Sequence, residues 1–151
     1  MNDTFAVHVD KTSAHFDALR NGEMRPVGAH GFGNVAGIYV LFENGEAVHV
    51  GRTRKVRNRL RSHMTANHNS ASFAFKRARR ELNIPASYKA ESSRAVLQAD
   101  EIFGDCFRRH VDAVKTMTVQ FLEVGDPIDQ YLLELYATLE FGLPTDEFDT
   151  H

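Results

Sequence analysis

The sequence predicts one α/β (α+β) domain, a small three-stranded sheet, mixed or antiparallel, flanked by helices in the order ββα(αα)βα. Three observations lead to this prediction. The β-rich segments Gly37–Phe42 and Ala47–Gly51 are separated by Asn44 and Gly45, a strong hairpin signal. A third alternating segment, Met117–Val124, precedes Asp126 and Pro127, which suit the N-cap and first turn of a helix. Apolar residues at helical spacing lie between the hairpin and this third strand.

Each remaining element follows from its own local signals. Residues 1–35 are expected to form an N-terminal extension packed on the same domain as residues 36–151. Within it, Phe5–Val9 alternates like a short strand, and Thr12 or Ser13 caps a helix that continues to Leu19. The middle of the chain predicts three helices, which are Arg54–Met64, Ala71–Leu82 capped by Ser70, and Arg94–Val114 broken near Gly104. The last helix is expected to run from Pro127 to about Phe141.

Composition limits the classes of protein that fit. The 151 residues are 42% apolar and contain one cysteine, Cys106, so no internal disulfide or cysteine-based zinc cluster is expected. The eight histidines show no metal-ligand spacing, which argues against a zinc site. The N-terminus does not resemble a signal peptide, and no apolar run is long enough for a membrane span. We therefore expect a soluble, cytoplasmic protein.

Positive charge is concentrated in one segment, although the formal net charge is −2. Ten of the 18 Lys and Arg residues lie between Arg52 and Arg80, with no Asp or Glu among them. Such a cluster indicates a local phosphate-binding surface. A solvated helix face is the alternative for a basic run considered alone.

The hairpin and the helix after it carry a series of spaced motif residues. Gly37-Ile38-Tyr39 is followed by His49-Val50-Gly51, then by Arg59 and His63 on the next predicted helix, and later by Glu134. This pattern resembles the motifs of the GIY-YIG nuclease superfamily. The resemblance covers about residues 36–148. Two positions differ from the family pattern: His49 stands where a tyrosine is usual, and Asp146 stands where the family has asparagine.

The resemblance implies a role for each of these residues. Tyr39 would orient or activate water, Arg59 would bind the scissile phosphate, and Glu134 would hold one Mg²⁺ or Mn²⁺ ion. His63 would assist Arg59, and Asp146 would lie next to the metal site. DNA is the implied partner, whether duplex, branched or single-stranded.

The chemistry of the residues agrees with these roles. Arg59 and His63 are four positions apart, so both side chains project from one helix face. The planar guanidinium of an arginine binds two phosphate oxygens at once. Glu134, between Leu133 and Leu135, is a carboxylate among apolar neighbours, where pairing, protonation or metal binding is expected. Further backbone phosphate contacts are assigned to the basic residues Arg52, Arg54, Arg57, Arg61, Lys76 and Arg77.

The position of His49 depends on the geometry of the hairpin. A two-residue turn at Asn44 and Gly45 would pair Tyr39 with Val50 and direct His49 to the opposite face. A three-residue loop, Glu43–Gly45, would pair Tyr39 with His49 and place both side chains on one face. We expect the second arrangement, in which His49 replaces the usual tyrosine as hydrogen-bond partner or proton shuttle.

The sequence therefore predicts a divalent-metal-dependent DNA endonuclease of the GIY-YIG type. The alternative, suggested by His49 and Asp146, is a catalytically impaired domain of this kind that binds nucleic acid without cleaving it. A third interpretation is a small globular protein whose basic residues only solvate a helix. Substrate specificity would come from the N-terminal extension, residues 65–95, a homodimer partner or a recruiting protein.

Overall fold

The predicted fold class is confirmed by a computed structural model that describes residues 1–87 and 89–145. Over these residues the chain is α+β, with six α-helices and one four-stranded antiparallel sheet. The strands are β1 (Arg25–Pro26), β2 (Gly37–Glu43), β3 (Glu46–Thr53) and β4 (Thr118–Glu123), in the spatial order β1-β4-β2-β3. The helices are α1 (Asp3–Arg20), α2 (Val56–His63), α3 (Ser72–Glu81), α4 (Arg94–Ala99), α5 (Glu101–Lys115) and α6 (Pro127–Glu140).

The chain divides into two compact units, which are described separately. The sheet unit comprises Met1–Arg57 together with the chain from Met117 onward, and it contains α1, the sheet and α6. The helical unit comprises Asn58–Thr116, with most of α2 and all of α3, α4 and α5. No helix within the described residues is both long enough and apolar enough to span a membrane.

The central strand β2 organises the core of the sheet unit. Its first six residues are all buried. Strand alternation directs Ile38, Val40 and Phe42 to one face, where they pack with Leu19 of α1 and with Leu133 and Ala137 of α6. Tyr39 and Leu41 therefore project from the other face of the same strand.

The hairpin between β2 and β3 has a two-residue turn, so the expected three-residue loop is wrong. Glu43 pairs directly with Glu46. The two residues between them, Asn44 and Gly45, have φ values of 52° and 81°. Left-handed backbone at both central positions is the requirement of a type I′ turn, whose twist matches that of the flanking strands. Asn and Gly adopt this conformation at low cost, which explains why the turn forms here.

A β-bulge in β3 then changes the register of the hairpin. Phe42 pairs with Ala47, whereas the preceding residue Leu41 pairs with His49, so Val48 is an extra residue in β3. Beyond the bulge Tyr39 pairs with Gly51, not with His49 as expected. His49 is two residues from Gly51 and thus lies on the same face as Tyr39. The expected shared face is therefore correct, but the bulge and not the loop length produces it.

One continuous helix covers Asp3–Arg20, so the strand expected over Phe5–Val9 and the helix start expected at Thr12 or Ser13 are both wrong. Asn2 caps α1 by accepting a hydrogen bond from the backbone N–H of Phe5, 3.1 Å away. The helix packs against α6, where His8 Nδ1 lies 2.6 Å from Asp129 Oδ1. Phe16 adds an aromatic contact with Tyr136 of α6, with ring centroids 5.2 Å apart. These contacts with α6 are tertiary interactions that the local alternation of residues 5–9 does not reflect.

The helix expected over residues 94–114 is interrupted at Asp100, not near Gly104. Asp100 has an extended backbone, and its Oδ2 accepts a hydrogen bond from the N–H of Phe103 at 2.9 Å, which caps α5. Gly104 lies inside α5, where a Cβ atom would approach the backbone oxygen of Gln98 to 2.7 Å. This glycine therefore permits α4 and α5 to approach each other, and it does not end a helix.

The core of the helical unit is aromatic. Phe75 of α3 lies with its ring centroid 4.9 Å from that of Phe103 and 5.5 Å from that of Phe107. Phe73 and Phe75 are both buried, which confirms the expectation that they belong to the core.

Replacing Asp100 with alanine should destabilise the protein by about 1 kcal/mol, because the first turn of α5 loses the acceptor for a backbone N–H. Asp100→Asn keeps an acceptor at the same position and should restore most of the lost free energy of unfolding. Asp112→Ala on the exposed side of α5 is the control and should have a smaller effect. Urea denaturation measures all three variants, and equal losses for Asp100→Ala and Asp112→Ala would contradict the assigned cap.

Candidate active site

Tyr39 and Gly51 form the closest contact on the candidate site face of the sheet. A Cβ atom built on Gly51 would lie 2.2 Å from Cζ and 2.3 Å from the hydroxyl oxygen of Tyr39. The Tyr39 ring therefore lies directly across the backbone of its partner in β3. Only glycine leaves room for this ring, which gives the glycine of the second motif a physical function.

His49 lies beside the same ring. The ring centroids of Tyr39 and His49 are 5.8 Å apart, with an angle of 49° between the ring planes. Their distance permits a ring contact of the kind that stabilises paired aromatic side chains. Two of the predicted site residues are thus brought together on one face of the hairpin.

The glycine of the first motif also permits a close approach. A Cβ atom on Gly37 would lie 2.0 Å from the backbone oxygen of Leu122 in β4. Gly37 thus lets β2 and β4 approach each other closely, two residues before Tyr39. Packing within the sheet unit therefore explains both motif glycines.

Arg52 follows Gly51 in β3 and stacks on α6. Its guanidinium carbon lies 4.0 Å from the ring centroid of Tyr131, a cation–π contact. The contact places the guanidinium of Arg52 over the Tyr131 ring of α6. The sequence had not assigned Tyr131 a role, since only the fold reveals that it orients a predicted phosphate-binding arginine.

Glu134 lies on α6 one turn after Tyr131. Its neighbours Leu133 and Ala137 pack in the core, whereas Glu134 itself is only partly buried. Its backbone oxygen accepts a hydrogen bond from the Thr138 hydroxyl at 2.7 Å, and Thr138 is buried. Glu134 thus lies at the margin of the face of α6 that packs in the core.

Glu134 is not part of a group of three His, Cys, Asp or Glu donors within the described residues. Within the described residues, the groups of three donors close enough for one ion are His8–Asp126–Asp129 and Glu81–Cys106–His110, and Glu134 belongs to neither. One carboxylate still fits Mg²⁺, which binds one or two carboxylates and keeps several waters or substrate oxygens. Asp146, the expected neighbour of the metal, lies outside the described residues.

Arg59 and His63 belong to the helical unit and have different surroundings there. Arg59 is partly buried, and its guanidinium donates to Ser72 Oγ at 3.0 Å and to the backbone oxygen of Ser70 at 3.5 Å. His63 is fully buried, with its ring at 84° to the ring of Phe73 and 6.4 Å between the centroids. Ser72, which no sequence signal identified, holds the predicted phosphate-binding arginine in place. The convergence of Arg59 with Tyr39 and Glu134 stays a prediction.

The basic segment contains residues of two kinds. Arg54, Arg57 and Arg61 are exposed, which suits contacts with a phosphate backbone. Lys76 and Arg77 are partly buried, and Arg77 stacks on Phe73 with 4.8 Å between its guanidinium carbon and the ring centroid. Arg79 has a structural role, because it donates to the backbone oxygens of Pro85 at 3.1 Å and Ser92 at 3.3 Å.

A second polar cluster lies within the helical unit, where α3 ends against α5. Hydrogen bonds from Arg109 and then from Cys106 lower the pKa of Glu81 to about 2. Burial, assisted by Glu81, raises the pKa of Cys106 to about 11. Burial also lowers the pKa of His110, although the nearby Glu81 carboxylate opposes this shift.

Comparison of the chain with protein-family models, curated proteins and solved structures found no significant match. The resemblance to GIY-YIG nucleases therefore depends on the motif residues and on the chemistry of their surroundings.

Replacing Gly51 with alanine should destabilise the protein by roughly 1–3 kcal/mol, because the new methyl group occupies the space of the Tyr39 ring. In a Tyr39→Leu background the same change should cost less, since the ring that it displaces is absent. Gly125→Ala is the matched control, because no atom lies within 4 Å of its added Cβ. A thermodynamic cycle measured by chemical denaturation gives the coupling, and additive effects of Gly51→Ala and Tyr39→Leu would contradict the close contact.

Proposed function

We propose that this protein is a divalent-metal-dependent endonuclease that hydrolyses DNA phosphodiester bonds. The observation that carries the proposal is the contact of Tyr39 with Gly51 and His49 on one face of the hairpin. Gly51 permits the approach of this ring, and Gly37 permits the close approach of β4 to the same strand. The glycine of the second motif thus leaves room for the Tyr39 ring across β3.

Hydrolysis requires water to attack phosphorus in line with the P–O bond that breaks, while charge develops on the phosphate oxygens. In the proposed mechanism Tyr39 first gives its phenol proton to His49, and the resulting phenolate orients the attacking water and accepts its proton. A phenol has an ordinary pKa of about 10, so it serves as a base only near positive charge. His49, beside the ring, provides the route by which the proton leaves.

The other site residues bind and orient the substrate. Arg59 binds two oxygens of the scissile phosphate through its planar guanidinium, which Ser72 orients, and His63 supports that helix face. Glu134 holds the divalent cation, which supplies Lewis-acid stabilisation when it is bound. The exposed residues Arg54, Arg57 and Arg61, with the stacked Arg52, bind neighbouring backbone phosphates.

The burial of the reacting groups favours a second candidate function. Tyr39 is 0% exposed, and His49 and His63 are 5% and 0% exposed. Water and phosphate must reach the groups that act on them. Cleavage therefore requires the Tyr39 hydroxyl to become accessible when DNA binds. A domain that binds nucleic acid through its exposed arginines without cleaving it requires no such opening.

Incubation with supercoiled plasmid and with single-stranded DNA in Mn²⁺ separates the candidates. We expect cleavage by the wild type and a loss of at least about 10²-fold in Glu134→Gln, because the metal loses its charged ligand. Glu140→Gln is the matched control, since Glu140 is an exposed glutamate at the end of the same helix, and it should cleave at the wild-type rate.

Binding measured in parallel over a range of salt concentrations completes the test. Salt-sensitive binding by the wild type and by Glu134→Gln, without cleavage by either, would replace the nuclease with the non-cleaving domain. A wild type that shows neither cleavage nor salt-dependent binding would mean that the basic residues only solvate the helices.

A further inference from the structure

Three metal-binding side chains of different chemistry meet where α3 ends against α5. Glu81 is the last residue of α3, and Cys106 and His110 lie one turn apart on α5. Cys106 Sγ lies 2.9 Å from Glu81 Oε2, and His110 Nε2 lies 3.3 Å from Glu81 Oε1. One donor atom from each residue lies within 4.8 Å of the others.

We propose that Glu81, Cys106 and His110 bind a Zn²⁺-class transition-metal ion. The donor set selects the class of metal, because thiolate and imidazole prefer zinc and related ions, whereas Mg²⁺ prefers oxygen ligands. Three protein ligands leave the fourth tetrahedral position to water. The site is independent of the proposed nuclease function and uses none of its residues.

The observed distances suit a tetrahedral ion. Zinc binds sulfur at about 2.3 Å and nitrogen or oxygen at about 2.0–2.2 Å, which separates neighbouring ligand atoms by roughly 3.3–3.8 Å. His110 Nε2 lies 3.3 Å from Glu81 Oε1, at the edge of this range, and Cys106 Sγ lies 2.9 Å from the other carboxylate oxygen, Oε2, just below it. With one donor atom of each residue within 4.8 Å of the others, the cluster is close to the size that the ion needs.

The surroundings of Cys106 and His110 on α5 favour metal binding. Cys106 is 2% exposed, in the core cluster that contains Phe103 and Phe107. His110 Nε2 is buried and lies in an ion-pair contact with Glu81 Oε1 at 3.3 Å, without the geometry of a good hydrogen bond. A buried imidazole nitrogen that is only poorly hydrogen-bonded is costly, and a metal ion would satisfy it better.

Arg109 is the group that competes with the ion. Its guanidinium donates to Oε1 of Glu81 at 3.1 Å and to Oε2 at 2.7 Å. The Arg109 side chain is 63% exposed, so it can keep one carboxylate oxygen and release the other to the ion. The thiol proton of Cys106 leaves to solvent when sulfur binds the metal. The thiolate, the carboxylate and the divalent ion then sum to zero charge, and Arg109 remains paired with Glu81.

Titration of the reduced full chain with Co²⁺ tests the proposal. The wild type should develop a sulfur-to-cobalt charge-transfer band, and addition of Zn²⁺ should abolish it. Because Cys106 is the single cysteine of the chain, this band can arise from no other residue. Cys106→Ser should remove the band, and Glu81→Gln and His110→Asn should each weaken Co²⁺ binding by at least about tenfold.

Two exposed residues provide matched controls. Asp112→Asn on α5 and His30→Asn in the sheet unit should each bind Co²⁺ as the wild type does. Saturating Zn²⁺ at 100 times its Kd should also raise the Tm of the wild type by roughly 5–10 °C, and the Tm of Cys106→Ser by much less.

The proposal is overturned if the reduced wild type shows no charge-transfer band in excess Co²⁺. It is also overturned if the band keeps its affinity in both Glu81→Gln and His110→Asn, since cobalt would then bind the thiol alone. The test of the wild type does not depend on the folding of any variant.

Discussion

One extra residue in β3, Val48, sets the register on which the candidate site depends. Without the bulge, the pairing that starts at the type I′ turn would place Tyr39 opposite Val50. His49 would then face the core formed with α1 and α6. The bulge shifts the pairing so that Tyr39 lies opposite Gly51. His49 thereby moves to the face of Tyr39, and Val50 joins Val40 in the core. A bulge that redirects side chains is common next to functional sites.

The two motif glycines follow from this register. Tyr39 is the largest of the fully buried side chains, and its ring occupies the space that a side chain at position 51 would need. Gly37 lets β4 approach on the other side of the same strand. Glycine destabilises the interior of a strand because it loses more conformational entropy on folding than other residues. Two glycines in this part of the sheet therefore indicate that close packing at these positions outweighs the loss.

Local signals in the sequence predicted much of the sheet unit. The hairpin turn, the third long strand and the capped helix α6 each depend on residues adjacent in sequence, and each was predicted near its observed position. The bulge was missed because no local signal marks Val48, and the register results from packing on both faces of β2. The strand expected at Phe5–Val9 failed for a related reason, since contacts with α6 decide the conformation of that segment.

In the helical unit, too, local sequence signals did not predict the contacts between elements. Asp100 is a good N-cap residue, but Gly104 was the more obvious helix breaker, and only its approach to Gln98 explains its presence inside α5. The spacing of Cys106 and His110 is visible in the sequence. Their partner Glu81 is 25 residues away from Cys106, so that only the packing of α3 on α5 reveals the cluster.

The central claim is that the chain holds the Tyr39 hydroxyl in order to act on a phosphodiester. The single-turnover rate of DNA cleavage by Tyr39→Phe tests it most directly, because phenylalanine keeps the ring across Gly51 and removes only the oxygen. We predict a free energy of unfolding within about 1 kcal/mol of the wild type. The cleavage rate should fall by roughly 10²–10⁴-fold, the contribution typical of a general base. A stable Tyr39→Phe protein that cleaves DNA at the wild-type rate would contradict the claim and leave Tyr39 as a core residue alone.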